Sequence, residues 1–443
     1  MDTPVYDFLK KYADMSPLRA HMPGHKGRTF TAEELRSAYA YDLTEISGAD
    51  SLFEAEGIIR KSEKNASGLF GTAETVYSCG GSTLCIQAML FLMKQENRCV
   101  IAGRTVHRAF LNACILLGLQ VIWVYPEAEK GILSGEYDPQ DFEKAIKSTE
   151  GKPCCIYITS PDYMGNMADI RSLSEISRKY SAPLLVDNAH GAHLAFFEKN
   201  LHPMALGADL CCDSAHKMLP CLTGCAYLHT SNENYKGRLK GAMGLFGSTS
   251  PSYLMLLSLD LCNVFLSEKA AGNIAKIKSL SEKMRENLSD RYIFTQGKEI
   301  FHIAIDTAAM GIDGRQLGAS RDSLNCFPEY AGREAVVLLL SAAERGEDIL
   351  RLEDILGKCV TSAAAEQKTP PPFPKPKAVM GIREAALSQS EVIPAKNALG
   401  RICAGVKVPC PPAVPIVISG EVIDENAVDA LIYYGVGEVE VVK

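Results

Sequence analysis

What this 443-residue chain lacks narrows its class before any motif is read. Basic charge is not in excess: 46 Lys and Arg against 53 Asp and Glu give a formal net charge of -7. That argues against a nucleic-acid partner and is compatible with a cationic substrate. Long apolar runs are missing too, since the most apolar longer segment, Tyr253 to Leu266, is too short to span a bilayer and contains Asp260. The first residues, MDTPVYDFLKKYADM, have no basic stretch followed by a hydrophobic one, so no signal peptide and no membrane association are expected. Neither GxGxxG nor a Walker lysine occurs, which disfavours nucleotides. The 15 cysteines show no CxxC…CxxC spacing and often fall inside apolar runs, as at Cys99, Cys154, Cys155, Cys211 and Cys212. Buried reduced thiols in a cytoplasmic protein are the expectation.

What is present is a regular alternation. Short runs rich in Val, Ile, Cys and Tyr recur at Glu74–Cys79, Cys99–Ala102, Val121–Tyr125, Cys154–Thr159, Leu184–Val186, Leu210–Cys212 and Cys225–Leu228. Most are separated by segments long enough for a helix. Such spacing predicts an α/β fold with a mostly parallel seven-stranded sheet covered on both faces. Ligands of such sheets bind beyond the carboxyl ends of the strands, so the polar residues after each run are the candidates.

After the first run come Gly80, Gly81, Ser82 and Thr83, leading into the apolar LCIQAMLFLM. Glycines and hydroxyls at a helix N-terminus suit a phosphate, and equally make an ordinary capped turn. After the second run stands His107, which could stack on a flat ring, act as acid or base, or serve structure alone. After the fifth run comes DNAHGAH, whose Asp187 would be costly to bury without a cation. After the sixth comes DSAHKMLP, which holds Lys217 on a loop among Ser214, His216 and Pro220. That lysine is either a solvated amine or one placed to form a Schiff base. A metal reading would recruit His190 and His193, perhaps with Asp187, but leaves Lys217 and the Gly-Gly-Ser-Thr turn unexplained. One cofactor uses a phosphate cradle, a flat side chain, a buried carboxylate and a lysine together: pyridoxal 5'-phosphate (PLP).

HMPGHKG, DLTE with SGADSLFEAEG, GGST, RTVHRAF, TSPDYMG, VDNAHGAH, DSAHKMLPCLTG and TSPSYLMLLSLD, in that order, resemble the motifs of the bacterial Orn/Lys/Arg decarboxylases of the aspartate-aminotransferase fold. NALGRICA and CPPAVPIVISGE resemble signatures of that family's C-terminal domain. The resemblance implies a type I PLP-dependent fold and decarboxylation of arginine, lysine or ornithine in a homodimer or higher assembly. It implies that Lys217 holds the cofactor's aldehyde, His216 sits near the reacting Cα and Asp187 pairs with the pyridinium. Ala189 and His107 would cover the two ring faces, and His190 would lie near the ring hydroxyl. Ser82, Thr83 and Ser214 would hold the phosphate, and Thr249 or Ser250 would reach a neighbouring subunit's cofactor. No metal is implied. Another PLP reaction, or a catalytically silent paralogue, remains open. Phe53, Leu84, Cys410 and Ala413 depart from the family's usual residues, which bears on substrate identity.

The expected organisation is an N-terminal segment over 1–50, a large cofactor-binding domain over 51–290 and a C-terminal α+β domain over 291–443. Ile274 to Leu288 reads as a helix and Tyr292 to Thr307 as strands, with a Pro-rich linker near 368–378. The chain resembles the short form of the family, without an N-terminal wing.

Overall fold

All seven runs are strands in the computed structural model, which describes residues 1–29, 33–126, 132–133, 135–295, 297, 299–319, 326–359, 370–405 and 414–443. They are β1 (Glu74–Ser78), β2 (Cys99–Gly103), β3 (Val121–Val124), β4 (Cys154–Thr159), β5 (Leu184–Asp187), β6 (Leu210–Asp213) and β7 (Ala226–Thr230). The sheet order is β1-β7-β6-β5-β4-β2-β3. β7 runs antiparallel to both β1 and β6, while β5–β6, β2–β4 and β2–β3 pair parallel. Every residue of β1, β5, β6 and β7 is buried. This is why the runs read as continuously apolar rather than alternating.

The described residues pack as two units. One contains Met1–Leu92, Leu184–Ala275 and Ser341–Ala343; the other contains Met93–Pro183, Lys276–Leu340 and Glu344–Lys443. In the first, the Asp50 carboxylate meets the N-terminus of the helix Ile58–Phe70, accepting from the N–H groups of Glu56, Gly57 and Ile59 at 2.9–3.0 Å. Asp260, the charge in the apolar stretch, lies fully buried in the helix Tyr253–Glu268. Its Oδ2 accepts from Val5 N and Tyr6 N, both 3.0 Å away, and so supplies an acceptor for the first turn of the helix Pro4–Asp14. No described helix is long and apolar enough to cross a membrane.

The second unit contains β2, β3 and β4, a sheet of β8 (His302–Asp306), β9 (Tyr330–Ala331) and β10 (Ala335–Leu339), and the pair β11 (Ser390–Pro394) and β12 (Glu438–Val442). The expected helix runs Ala270–Asn287; of the expected strands, β8 forms, and Phe294 makes a single bridge to Ile305. Arg104, just past β2, is fully buried in this unit. It donates to Pro415 O (2.8 Å) and to Glu421 Oε2 (3.1 Å), and its guanidinium lies 5.2 Å from the Trp123 ring centroid. Burial pushes the Glu421 carboxyl up, and Arg104 pulls it back only in part. A pair of this kind stabilises little against an apolar replacement, yet is costly to break. Glu421→Leu alone should therefore lower stability by about 3 to 5 kcal/mol. Adding Arg104→Met should recover much of that loss, read from urea-unfolding midpoints.

Candidate active site

β5 ends on Asp187, which is 1% exposed and is paired across the ladder with Cys212 of β6. Paired residues of adjacent strands share a face and successive residues alternate, so Asp187 and Cys212 lie on one face, Cys211 and Asp213 on the other. On its face Asp187 accepts from Ala189 N (3.2 Å) and the Cys212 thiol (3.6 Å). On the reverse face Asp213, fully buried, gathers donors from three directions. Asn188 Nδ2 reaches Oδ1 at 2.7 Å; His202 Nε2 and His229 Nε2 reach Oδ2 at 2.9 and 3.1 Å.

The turn after β1 is built on short hydrogen bonds. Gly80 N donates to Ser78 Oγ (3.1 Å) and Gly81 N to Gly224 O (2.8 Å), and Gly81 takes a φ of +66° that favours glycine. The helix Gly81–Gln95 starts there, with Ser82 and Thr83 in its first turn. Ser214 Oγ donates to Ser82 Oγ at 2.9 Å, so hydroxyls from two separate strand ends meet at this N-terminus. Leu84, buried beneath the turn, lies where a Cβ added at Gly80 would come within 3.0 Å of it.

Lys217 sits in the one-turn helix Ala215–Met218 beyond β6, and its Nζ is 2.9 Å from His190 Nε2. His216 Nδ1 is 3.0 Å from Cys225 O. A carbonyl only accepts, so Nδ1 carries a proton and the lone pair of a neutral His216 is on Nε2. Ser82, Thr83, Asp187, Ala189, His190, Ser214, His216 and Lys217 thus all belong to the first unit. His107 belongs to the second, where it is exposed and its Nδ1 accepts from Ala109 N (3.1 Å) at the start of the helix Arg108–Leu117. Thr249 and Ser250 are exposed. Phe53 packs against Gly247, where a Cβ would meet its ring at 2.3 Å. Cys410 and Ala413 lie outside the described residues. In HMPGHKG, His25 stacks on Tyr39 with centroids 4.3 Å apart and pairs with Asp42 at 3.1 Å.

Sequence reasoning missed Asp213, His202 and His229. Among the described residues, His202, Cys211 and Asp213 are the one close group with metal-ligand chemistry. Its hydrogen bonds argue against an ion there. Met204 N donates to His202 Nδ1 (3.3 Å), so a neutral ring carries its proton on Nε2 and points it at Asp213. The donor set on the Asp187 side fits PLP: paired hydroxyls at a helix N-terminus for a phosphate, a buried carboxylate for a pyridinium and a lysine for an aldehyde.

Comparison with known proteins agrees. The family described as Orn/Lys/Arg decarboxylase, major domain, matches residues 3–344, and the C-terminal domain of the same family matches residues 360–438. The arginine decarboxylase of Bacillus subtilis is 29% identical over 96% of this chain and 92% of its own length. That of Bacillus anthracis is 27% identical over 96% and 91%. Among solved structures, the lysine decarboxylase LdcF of Francisella novicida superposes with a TM-score of 0.83 at 14% identity, covering 100% of this chain and 81% of the other. Lysine decarboxylase A of Pseudomonas aeruginosa gives 0.79 at 17% identity, with 97% and 75% covered. The fold is that of the type I PLP-dependent enzymes.

The Asp213 cluster also sets an acid response. Burial pushes the Asp213 carboxyl up, but the two imidazoles outweigh it and hold the group well below the usual carboxylate range. Burial pushes the His229 imidazole down, with Asp213 restoring only part. Both folded values lie below the unfolded ones, so the unfolded chain binds more protons and acid withdraws stability. The loss should begin as pH falls below about 6.5, the ordinary imidazole range, and deepen below about 4, the ordinary carboxylate range. Melting temperature measured from pH 8 to 4 should follow that course, and His229→Gln should remove its upper part.

Proposed function

The chain belongs to the Orn/Lys/Arg decarboxylase family and is a PLP-dependent decarboxylase, and from that premise we propose that its substrate is arginine, released as agmatine and carbon dioxide. Support for arginine comes from four Bacillus-type relatives named arginine decarboxylase, each matched over at least 91% of its own length. The lysine decarboxylase LdcA of Pseudomonas aeruginosa is matched over only 42% of its length. The observation that carries the site is Lys217 Nζ, 2.9 Å from His190 Nε2, on the turn that also brings Ser214 to Ser82.

The residues then take the following roles. Ser82, Thr83 and Ser214 hold the phosphate, with the first-turn N–H groups of the helix Gly81–Gln95 beside them. Asp187 would supply a buried carboxylate to the pyridine nitrogen, and Ala189 would lie against one ring face. The family resemblance would give His107 the other face and His190 a place near the ring hydroxyl. Bound PLP supplies an electron sink for the pair of electrons left when the α-carboxylate departs. Lys217 must lose its ammonium proton before its nitrogen can bond to an aldehyde, and His190 Nε2 is placed to take it. The proton that Cα needs after carbon dioxide leaves would come from Lys217 as its ammonium form or from His216 once Nε2 is protonated. A homodimer or higher assembly in the cytoplasm fits this reading, with Thr249 or Ser250 facing a neighbour's site. The 14 described cysteines are all free, as a reducing compartment favours.

The test is to load purified protein with PLP and to add arginine, lysine and ornithine separately, recording the visible spectrum, carbon dioxide and the amine formed. Arginine should yield agmatine and carbon dioxide in equal amounts. Carbon dioxide from lysine or ornithine alone would reassign the substrate, and a keto acid in place of carbon dioxide would mean a different reaction on the same fold. Absence of any cofactor band would leave a silent paralogue. Lys217→Ala should abolish turnover; Asp187→Ala should lower it on the order of 100-fold or more while PLP still binds.

A further inference from the structure

The reverse face of the sheet beneath the site holds a buried polar cluster that the reaction itself does not use. Asp213 is its centre. Its Oδ2 is held by His202 Nε2 and His229 Nε2, and each ring is fixed in turn. Met204 N donates to His202 Nδ1 (3.3 Å), and Thr75 Oγ1 of β1 lies 2.8 Å from His229 Nδ1. Thr75 Oγ1 is itself 2.7 Å from Thr72 Oγ1. With His229 in β7, this chain of bonds crosses β1, β7 and β6, and Thr75, His202, His229 and Asp213 are fully buried in the first unit. These links end on Asp213 Oδ2; its Oδ1 takes the Cys211 thiol at 3.7 Å and one closer partner.

That partner is Asn188. Its Nδ2 reaches Asp213 Oδ1 at 2.7 Å, its backbone N donates to Cys212 O at 2.9 Å, and its O accepts from Gly191 N at 2.8 Å. Gly191 has no room for a side chain: an added Cβ would sit 1.9 Å from Asn188 Oδ1. Asn188 is therefore held by its side chain from behind and by its backbone from both ends. It stands between Asp187 and the pair Ala189 and His190. The turn that presents all three has its orientation set from the face opposite the one Asp187 occupies.

We propose that Asp213 is a positioning residue for the cofactor: through Asn188 its carboxylate fixes the turn Asp187–His190 in the geometry that receives the pyridine ring. This rests on the assignment of PLP to Asp187 and Lys217. Side chains that hold a binding residue from behind commonly matter about tenfold or more to the affinity of the site they support. An amide at position 213 cannot replace the carboxylate, because it offers one acceptor and a donor where the side chains of Asn188, His202, His229 and Cys211 all donate.

The experiment uses the full chain stripped of cofactor, titrated with PLP by absorbance and fluorescence, with melting temperature of the same apoprotein measured in parallel. Asp213→Asn, Asn188→Ala and the double variant form a cycle. Each single variant should weaken PLP binding about tenfold or more. The double variant should be no weaker than the worse single one, because both cut the same link. The KM for arginine at saturating PLP should stay within about twofold, since neither side chain faces the amino acid. A lowered melting temperature with wild-type PLP affinity would mean a purely structural role and would overturn the proposal, as would strictly additive losses. If Asp213→Asn does not fold, Asn188→Ala decides alone: wild-type affinity in it overturns the proposal and a loss of about tenfold supports it. Failure of the wild-type apoprotein to take up PLP would overturn the cofactor assignment and this inference together; wild-type uptake with unchanged variants would overturn the inference alone.

Discussion

Burying two carboxylates side by side in an apolar sheet is the constraint on which the strand ends depend. Asp187 and Asp213 end neighbouring parallel strands and are both almost wholly buried. A buried carboxylate without donors would take up a proton and lose its use as an anion. The alternation of strand faces solves half of this. It puts the two groups on opposite sides of the backbone, so that each has its own set of partners and neither shares a pocket with the other. The sequence Cys211-Cys212 gives each aspartate a thiol on its own face, at 3.7 Å for Asp213 and 3.6 Å for Asp187. Thiols are weak donors, and burial pushes both well above the ordinary thiol range, so they remain protonated and contribute no competing anion.

Much of this was legible in the chain because the information was local. A strand buried on both faces has to be apolar throughout, so the seven runs stand out by composition, and each observed strand begins and ends within one or two residues of its run. Residues directly after a strand are fixed by that strand, which is why Ser82, Asp187, Ser214 and Lys217 could be picked out as candidates without knowing the strand order. His107 has a local role as well: its ring accepts the Ala109 N–H whatever else it meets.

What the chain did not disclose depends on pairing across long separations. His202 and His229 reach Asp213 from 11 residues before it and 16 after it. Their convergence requires β7 to lie antiparallel to β6 with Cys211 opposite His229, a register that no periodicity announces. Arg104 and Glu421 are 317 residues apart, and only the packing of the second unit joins them. Asp260 reads in the sequence as a charge that interrupts an apolar run; in the fold it is the acceptor for the first turn of the helix Pro4–Asp14.

The departures from the family pattern divide along the same line. Leu84 and Phe53 are both packed into places left by glycines, beneath Gly80 and against Gly247. Each makes a contact that a polar side chain would make less well, so their apolar character has a packing reason in this chain. Neither change alters the hydrogen bonds at the strand ends, because those run through Ser78, Gly81, Ser82 and Ser214 on one side and through Asp187, Asn188 and Asp213 on the other. The strand-end set needs only the order and register of β1, β5, β6 and β7.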